Sequence, residues 1–454
     1  MAFTFKGGIR LDEHKNTARS PIVPITAPSV VRIPLSQHIS TACVPCVKVG
    51  DLVCKGQVIG QTQEGEGCLI HASVSGKILE ISSITDAQGR QTESILIEND
   101  FEDRLSDASA ACDKDLRTLT PEQIVEHIRL AGIFDAGTTP LPAFEKLSHA
   151  IGKADKLIVN CTECEPYVTA NHRLLLEHPE QVVGGIKILL RALSLRKAYI
   201  AIEDNKRDAV KAIAKLDFDP EMIRICIMKS KYPQGDEGQI IYALTGKELP
   251  FGKPPADIGC VLFGAETCAA IYNAFAHGEP LIRRIVTVDG DGVDSPGNLL
   301  VPIGTPVSDL IRFCDGELSS INTIISGGPM RGQALCDTDS PITKDTCAIL
   351  AFSKKQKRTP EKEGSCIRCG KCVESCPMQL VPRELYRRFK KNDLTGCEKY
   401  GVLSCTQCGV CSYVCPARLE LTSKIGSAQT LLRSAPKKDT ASPESSESER
   451  KEQS

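Results

Sequence analysis

Two cysteine runs near the C-terminus constrain this chain more than any other feature. Cys366, Cys369, Cys372 and Cys376 are separated by two, two and three residues, with Pro377 after the last. The same spacing returns 39 residues on, at Cys405, Cys408, Cys411 and Cys415, followed by Pro416. Three thiolates at two-residue gaps wrap a tight loop around one iron–sulfur cube, and the fourth, followed by proline, leaves that loop to ligate a second cube. The spacing therefore predicts two [4Fe-4S] clusters, one on Cys366, Cys369, Cys372 and Cys415, the other on Cys376, Cys405, Cys408 and Cys411. Gly370 and Gly409 suit the tight turns, where main-chain N–H groups can point at sulfide. Zinc is the competing reading of C-x2-C pairs, but four ligands satisfy it, and eight cysteines in a doubled pattern without His exceed that need. Cys397 lies outside the pattern and reads as an ordinary thiol.

The remainder of the 454 residues is long enough for several further cores, so metal need not hold the whole chain together. A formal net charge of -2 supplies no basic field and argues against a nucleic-acid partner. The N-terminal residues lack an export signal, and 22 cysteines without one point to a reducing compartment, where spaced cysteines mean metal or redox chemistry. The longest apolar run, 258–276, is broken by Gly264 and Glu266; it reads as a buried strand and helix, and no membrane span is predicted. Cys43 with Cys46, and Cys161 with Cys164, repeat the C-x2-C spacing without a partner pair and are expected to be small buried thiols.

The pattern is that of a multidomain α/β protein. Residues 1–110 are rich in Val, Ile, Gly and Pro, and pairs of short strands at 47–60 and 71–78 resemble the flattened barrel-sandwich of carrier domains. No carrier lysine sits between Gln61 and Cys68, so a structural barrel is expected. From 120 to 280, helical periods alternate with apolar strands such as Lys156–Asn160 and 198–202, which argues for an α/β layered domain. Residues 281–352 read as a small β-grasp domain with a helix at Val307–Phe313. The charged stretch 354–364 reads as a linker into a double [4Fe-4S] ferredoxin-type helical domain, 353–433. The tail, 434–454, has the composition of a disordered segment.

With these residues in view, the chain resembles the RnfC component of the Rnf-type ion-translocating ferredoxin:NAD oxidoreductase (electron transport) complex from about residue 3 to 425. The stretches that carry the resemblance are 5–9 (FKGGI), 33–38 (IPLSQH), 47–51 (VKVGD), 71–76 (HASVSG), 163–167 (ECEPY), 202–206 (IEDNK), 232–235 (YPQG), 327–330 (GGPM) and the doubled cluster motif. The resemblance implies a peripheral subunit on the cytoplasmic side of the cell membrane, with the other subunits of the complex as partners. It also implies a middle domain similar to the flavin-bearing subunit of complex I, with FMN as cofactor and NAD(H) as a further partner. Asn160, Glu163 and Glu165 keep an Asn-x-x-Glu-x-Glu-Pro pattern, and Glu237 follows the Tyr-Pro-Gln-Gly stretch; in complex I relatives such residues line the flavin and nicotinamide.

The chain departs from that family at the phosphate loop. A glycine-rich Gly-x-Gly-Gly-Ala-Gly stretch is replaced by Asp135-Ala-Gly-Thr-Thr-Pro140, which keeps only Gly137. Side chains obstruct a close phosphate approach there, Pro140 removes a donor, and Asp135 adds a like charge. Gly264 stands where a flavin-contacting asparagine is expected. These departures predict weak or absent FMN binding and NADH oxidation. The alternatives to electron transfer within that complex are a soluble NADH-linked reductase resembling the cobalamin reductases, and a relay or docking subunit that has lost nucleotide binding. Domain order disfavours the reductase, because there the cluster segment precedes the β-grasp piece.

Overall fold

In the computed structural model, runs of Val, Ile and Leu form the strands, and the apolar faces of helices such as Pro179–Leu193 and Ala265–His277 cover them. The structure describes residues 2–37, 42–63, 67–85, 89, 91–106, 115–135, 141–356 and 362–434. Gly137, His38 and the tail from 435 lie outside the described residues. One compact unit runs through Lys362 and takes in Cys408–Val410; the other runs from Glu363 to Gln407 and resumes at Cys411.

The first unit contains three sheet systems. In the N-terminal one, Val30–Pro34, Gln91–Asn99, Gly76–Thr85 and Leu52–Val53 form an antiparallel sheet in that order, beside a three-stranded sheet of Val44–Pro45, Val58–Gln61 and Ile70–His71. Alternation places Val31, Ile33, Ile78, Ile95 and Ile97 inside, each at 0% exposure, as expected for strands with one wet face. The stretch 47–60 does form two short strands, Leu52–Val53 and Val58–Gln61, but they join different sheets and do not pair with each other.

The middle system is a four-stranded, all-parallel sheet in the order Ile223–Met228, Ala198–Glu203, Lys156–Asn160, Cys260–Gly264. Its strands are near-continuous apolar runs because helices cover both faces. Thr120 and Gln123 form a capping box at the start of the helix Pro121–Leu130. The helices Pro179–Leu193 and Ala265–His277 cross at Gly185, where a Cβ would stand 1.9 Å from the Cys268 carbonyl oxygen. The apolar run at 258–276 is indeed a buried strand, Cys260–Gly264, and then a helix.

The third system is a six-stranded mixed sheet around the helix Val307–Phe313. Its edge strand is Ile22–Pro24, paired in parallel with 298–300. The sequence groups those three residues with the N-terminal β domain; the pairing that moves them is non-local and leaves no periodic trace. Lys344, 1% exposed, joins all three systems: its Nζ donates to the Leu69 carbonyl at 2.9 Å and the Gly132 carbonyl at 2.7 Å.

The C-terminal stretch, 363–434, is helical and repeats itself. Arg368, Gly370 and Gln379 take φ of 57°, 82° and 53°; Gln407, Gly409 and Arg418, each 39 positions later, take 53°, 81° and 55°. The short helices Lys371–Glu374 and Val410–Tyr413 begin at the same offset, as do the longer helices Pro382–Phe389 and Leu421–Ser434. The sequence repeat is therefore a repeat of backbone conformation. No helix among the described residues is long and apolar enough to cross a membrane.

Candidate iron–sulfur centre and flavin-type pocket

Within the second unit, Cys366, Cys369, Cys372 and Cys415 line a single cavity, closed by Ile367, Gly370, Pro416 and Leu421. The fourth cysteine of this lining belongs to the other motif. The left-handed Arg368 and Gly370 let the loop curl back on itself within five residues. Among the described residues, no group of three or more Cys, His, Asp or Glu side chains is placed to hold a single metal ion. A ring of thiolates around a cavity suits the separate irons of a cube, each taking one cysteine, better than the convergent four-ligand set of zinc.

Cys376 and Cys411 are buried and Cys405 half-buried in the same unit, while buried Cys408 lies in the short stretch grouped with the first unit. N–H groups already point at the sulfurs: Leu380 donates to Cys376 Sγ and Gln407 to Cys405 Sγ, each at 3.4 Å. Such bonds withdraw charge from thiolates and raise a cluster's potential. Gln429, 1% exposed, supports the second loop by donating to the Val402 carbonyl at 2.9 Å and the Cys405 carbonyl at 2.8 Å. Glu363 supports the first, accepting from the Glu420 N–H at 2.8 Å and the Tyr386 hydroxyl at 3.1 Å. Neither residue could be singled out from the sequence, since both sit outside the motif. Cys397, fully buried, is an ordinary core thiol.

A second pocket opens at the carboxyl ends of the parallel strands, the usual ligand position in such sheets. Asn160, Glu163, Glu165, Gly264, Arg284 and Arg331 are among its lining residues. Asn160 is turned to local work: its Oδ1 accepts from the Thr162 N–H at 3.0 Å and hydroxyl at 2.7 Å, and its Nδ2 donates to the Gly235 carbonyl at 3.2 Å. Glu163 accepts from the Asn171 N–H at 2.8 Å and lies 3.6 Å from Lys206, which is closer, at 3.0 Å, to Glu203. Glu165 accepts from the Met330 N–H at 3.0 Å. A Cβ on Gly328 would stand 2.5 Å from that carboxylate, so the 327–330 turn cradles an internal carboxylate. Burial pushes the Glu165 carboxyl up against the pull of the Met330 N–H and Arg331. Glu237 starts the helix Glu237–Thr245 and lies 3.5 Å from Lys146.

The like charge that the sequence places near a phosphate is not there. Asp135 is 0% exposed and turned inward, pairing with Lys146 at 2.7 Å and accepting from the Gly264 N–H at 2.9 Å and the Thr267 hydroxyl at 2.6 Å. Burial alone would raise its pKa; Lys146, Thr267 and Gly264 outweigh that and hold it below the usual carboxylate range. This carboxylate thus caps the start of the helix Ala265–His277 from another element. The sequence could not show the orientation, which depends on Lys146, a residue eleven positions away on a separate helix.

The stray cysteine pairs are thiols. Burial pushes Cys161 and Cys164 each up to about 12 and Cys43 up to about 11. Cys46, expected to be buried, is exposed, because the strand Val44–Pro45 ends just before it.

A double ferredoxin-type loop joined to a covered parallel sheet defines the class: an iron–sulfur electron-transfer protein built onto a flavin-type α/β scaffold. Four family descriptions match in chain order: the RnfC barrel sandwich hybrid domain at 3–102, the Nuo51 FMN-binding domain at 128–273, the SLBB domain at 285–333 and the 4Fe-4S dicluster domain at 365–419. The corresponding component of the proton-translocating ferredoxin:NAD(+) oxidoreductase complex of Clostridium ljungdahlii is 38% identical, covering 86% of this chain and 87% of that one. Its Na(+)-translocating counterpart in Acetobacterium woodii is 37% identical, covering 93% and 95%. The equivalent chain of the ion-translocating oxidoreductase complex of Rhodobacter capsulatus is 36% identical, covering 89% and 78%. The chain belongs to this family, the RnfC component of the ion-translocating ferredoxin:NAD oxidoreductase complex, and carries its 4Fe-4S dicluster domain. Among solved structures, an NAD+-reducing [NiFe]-hydrogenase in the H2-reduced state aligns at 17% identity and TM-score 0.47, over 72% of this chain and 63% of that one.

Proposed function

We propose that this chain is the peripheral electron-transfer subunit of a membrane-bound complex that couples electron flow between ferredoxin and NAD to ion movement. Cys366, Cys369, Cys372 and Cys415 hold one [4Fe-4S] cluster, and Cys376, Cys405, Cys408 and Cys411 the other. The observation that carries this reading is the cavity shared by cysteines of both motifs. Each cluster supplies one-electron transfer when bound. The chain's own part is to seat the thiolates, donate N–H groups to sulfur and exclude water with Leu419 and Leu421. Attachment to the membrane is through partner subunits on the cytoplasmic side.

The matched flavin-domain description suggests FMN, but the described residues do not fit its phosphate. Gly264 N–H and Thr267 already serve Asp135, while Arg284 is paired with Glu266 and Arg331 with Asp236, each at 2.7 Å. The pocket is also lined by Glu163, Glu165 and Asp345, so its excess charge is negative. Asn160, Glu163 and Glu165 each make hydrogen bonds within the fold, although one buried carboxylate oxygen of Glu163 and one of Glu165 have no hydrogen-bond partner. The reading is therefore of a relay that works without its own flavin.

Anaerobic purification, flavin reconstitution and removal of free flavin test both parts. The expected result is about eight irons and eight sulfides per chain, recovery of the native protein with membranes, and little bound FMN. Two lost charged hydrogen bonds of about 1.5–3 kcal/mol each weaken flavin binding by roughly two to four orders of magnitude. Stoichiometric FMN with cluster bleaching by NADH overturns the flavin-free part alone; zinc without labile sulfide overturns the cluster reading.

A further inference from the structure

We propose that the rim of the first cluster loop, Cys366 to Cys369, is a docking surface for the acidic face of an electron-carrying protein. This rests on the reading that Cys366, Cys369, Cys372 and Cys415 hold a cluster.

The two cysteine sets differ in exposure. Cys366 and Cys369 are exposed, whereas Cys376 and Cys411 are buried. Between the exposed pair sits Ile367, an apolar side chain 67% exposed at the tip of the loop. An aliphatic tip costs little to desolvate and shortens the path from cluster to partner, and electron transfer falls off steeply with that distance. Redox encounters use small patches of this kind, held briefly and steered by charge.

The charge around the tip is basic. Arg368 and Arg383 are the charged residues lining the cavity, and both are exposed. Neither enters an ion pair among the described residues. Exposed Lys371 follows the loop in sequence and exposed Arg418 follows Cys415, while the nearby counter-charges are Glu374, whose carboxylate comes within 3.8 Å of a Cβ built on Gly370, and Glu363, three residues before Cys366. Residues 363–434 hold eleven Lys and Arg against six Asp and Glu, an excess of five that two oxidised clusters, each at about -2 with its four thiolates, would reduce to about +1, so the basic character lies in the rim itself. The chain as a whole is at -2, so the basic field is local to this unit. A basic rim around an exposed cluster edge attracts an acidic partner and orients it cluster-first. An anionic lipid surface would also be attracted, but it gains nothing from the exposed cysteines.

The test uses the full chain with both clusters assembled, verified by iron and sulfide content. Stopped-flow absorbance follows cluster reduction by a strongly acidic reduced two-cluster ferredoxin as probe, and separately by dithionite. For the unaltered chain the ferredoxin rate should fall steeply between roughly 50 and 300 mM salt, as screening removes steering. R368E with R383E should slow the ferredoxin reaction at least tenfold at low salt and flatten its salt dependence, with both rates taken per cluster retained and the ferredoxin rate compared with the dithionite rate of the same variant. I367D, which leaves the arginines in place, should slow both salt regimes about equally.

A flat salt profile in the unaltered chain overturns the proposal without any variant. So does an unchanged ferredoxin rate in R368E/R383E, including the case where that variant loses binding to phosphatidylglycerol vesicles, which would make the patch a lipid contact. Failure of the unaltered chain to assemble clusters overturns the underlying cluster reading, and iron analysis tells the two failures apart.

Discussion

The exchange of fourth ligands can be put to a test that a simple one-motif, one-cluster arrangement must fail. Cys369 and Cys415 belong to different motifs, 46 residues apart in sequence, yet line one cavity. Replacing both by alanine removes two of the four thiolates from one cube and none from the other. The expected product holds about four irons and four sulfides instead of about eight, and its remaining cube is undisturbed. Replacing Cys405 and Cys415, which share a motif, removes one thiolate from each cube and leaves each on three. Iron and sulfide content, with electron paramagnetic resonance of the reduced protein, separates the outcomes. The Cys369/Cys415 variant should show the signal of a lone cube with no broadening from a neighbour; the Cys405/Cys415 variant should show two perturbed cubes. If the Cys405/Cys415 variant keeps one intact cube while the Cys369/Cys415 variant damages both, each motif holds its own cluster and the reasoning from the shared cavity is refuted.

Three further outcomes follow from the first unit. Asp135→Ala removes the closer carboxylate from Lys146, leaving Glu237 at 3.5 Å, and takes the acceptor from the Gly264 N–H; it should cost about 3 kcal/mol, seen as a lowered denaturant midpoint with FMN affinity no better than before. Burial, aided by Lys344, pushes the fully enclosed His71 imidazole down to about 3 from its usual 6.5. The unfolded chain therefore takes up the proton first, so stability is full above about pH 6.5 and falls as pH drops toward 3. Roughly 2 kcal/mol is lost by pH 5, and His71→Gln should flatten that slope in denaturant titrations. Gly185→Ala drives a methyl into the Cys268 carbonyl and should cost about 1–3 kcal/mol or more, read as a lower melting temperature.

The parts of this molecule that sequence reveals are those whose chemistry is local. Cysteine spacing translates directly into a loop, and the left-handed residues at 368, 370 and 379 with their counterparts 39 positions on follow the same repeat. The strands Lys156–Asn160 and Cys260–Gly264 are legible because helices cover both faces and nearly every position is apolar or small. Asp135 and Asn160 take directions that the sequence does not show, for one shared reason. Their residue type and position match a ligand-binding pattern, but their direction is decided by Lys146, Thr267 and Gly235, which lie far off in sequence or on other elements. The edge strand Ile22–Pro24 escapes for the same reason. The exposed Cys46 shows the converse error, in which composition suggested burial that a two-residue strand cannot supply.

Domains of these kinds are the sort that evolution exchanges between proteins as interchangeable cassettes. Lys344 makes such exchange difficult here. Its ammonium, drawn from the third sheet system, meets no carboxylate among the described residues and depends on one carbonyl from the first system and one from the second. Transplanting any one of the three alone would bury an ammonium without acceptors, or carbonyls without a donor, at about 1–3 kcal/mol for each orphaned group. Relatives that lack one of the three lobes are expected to carry a different residue at the position of Lys344.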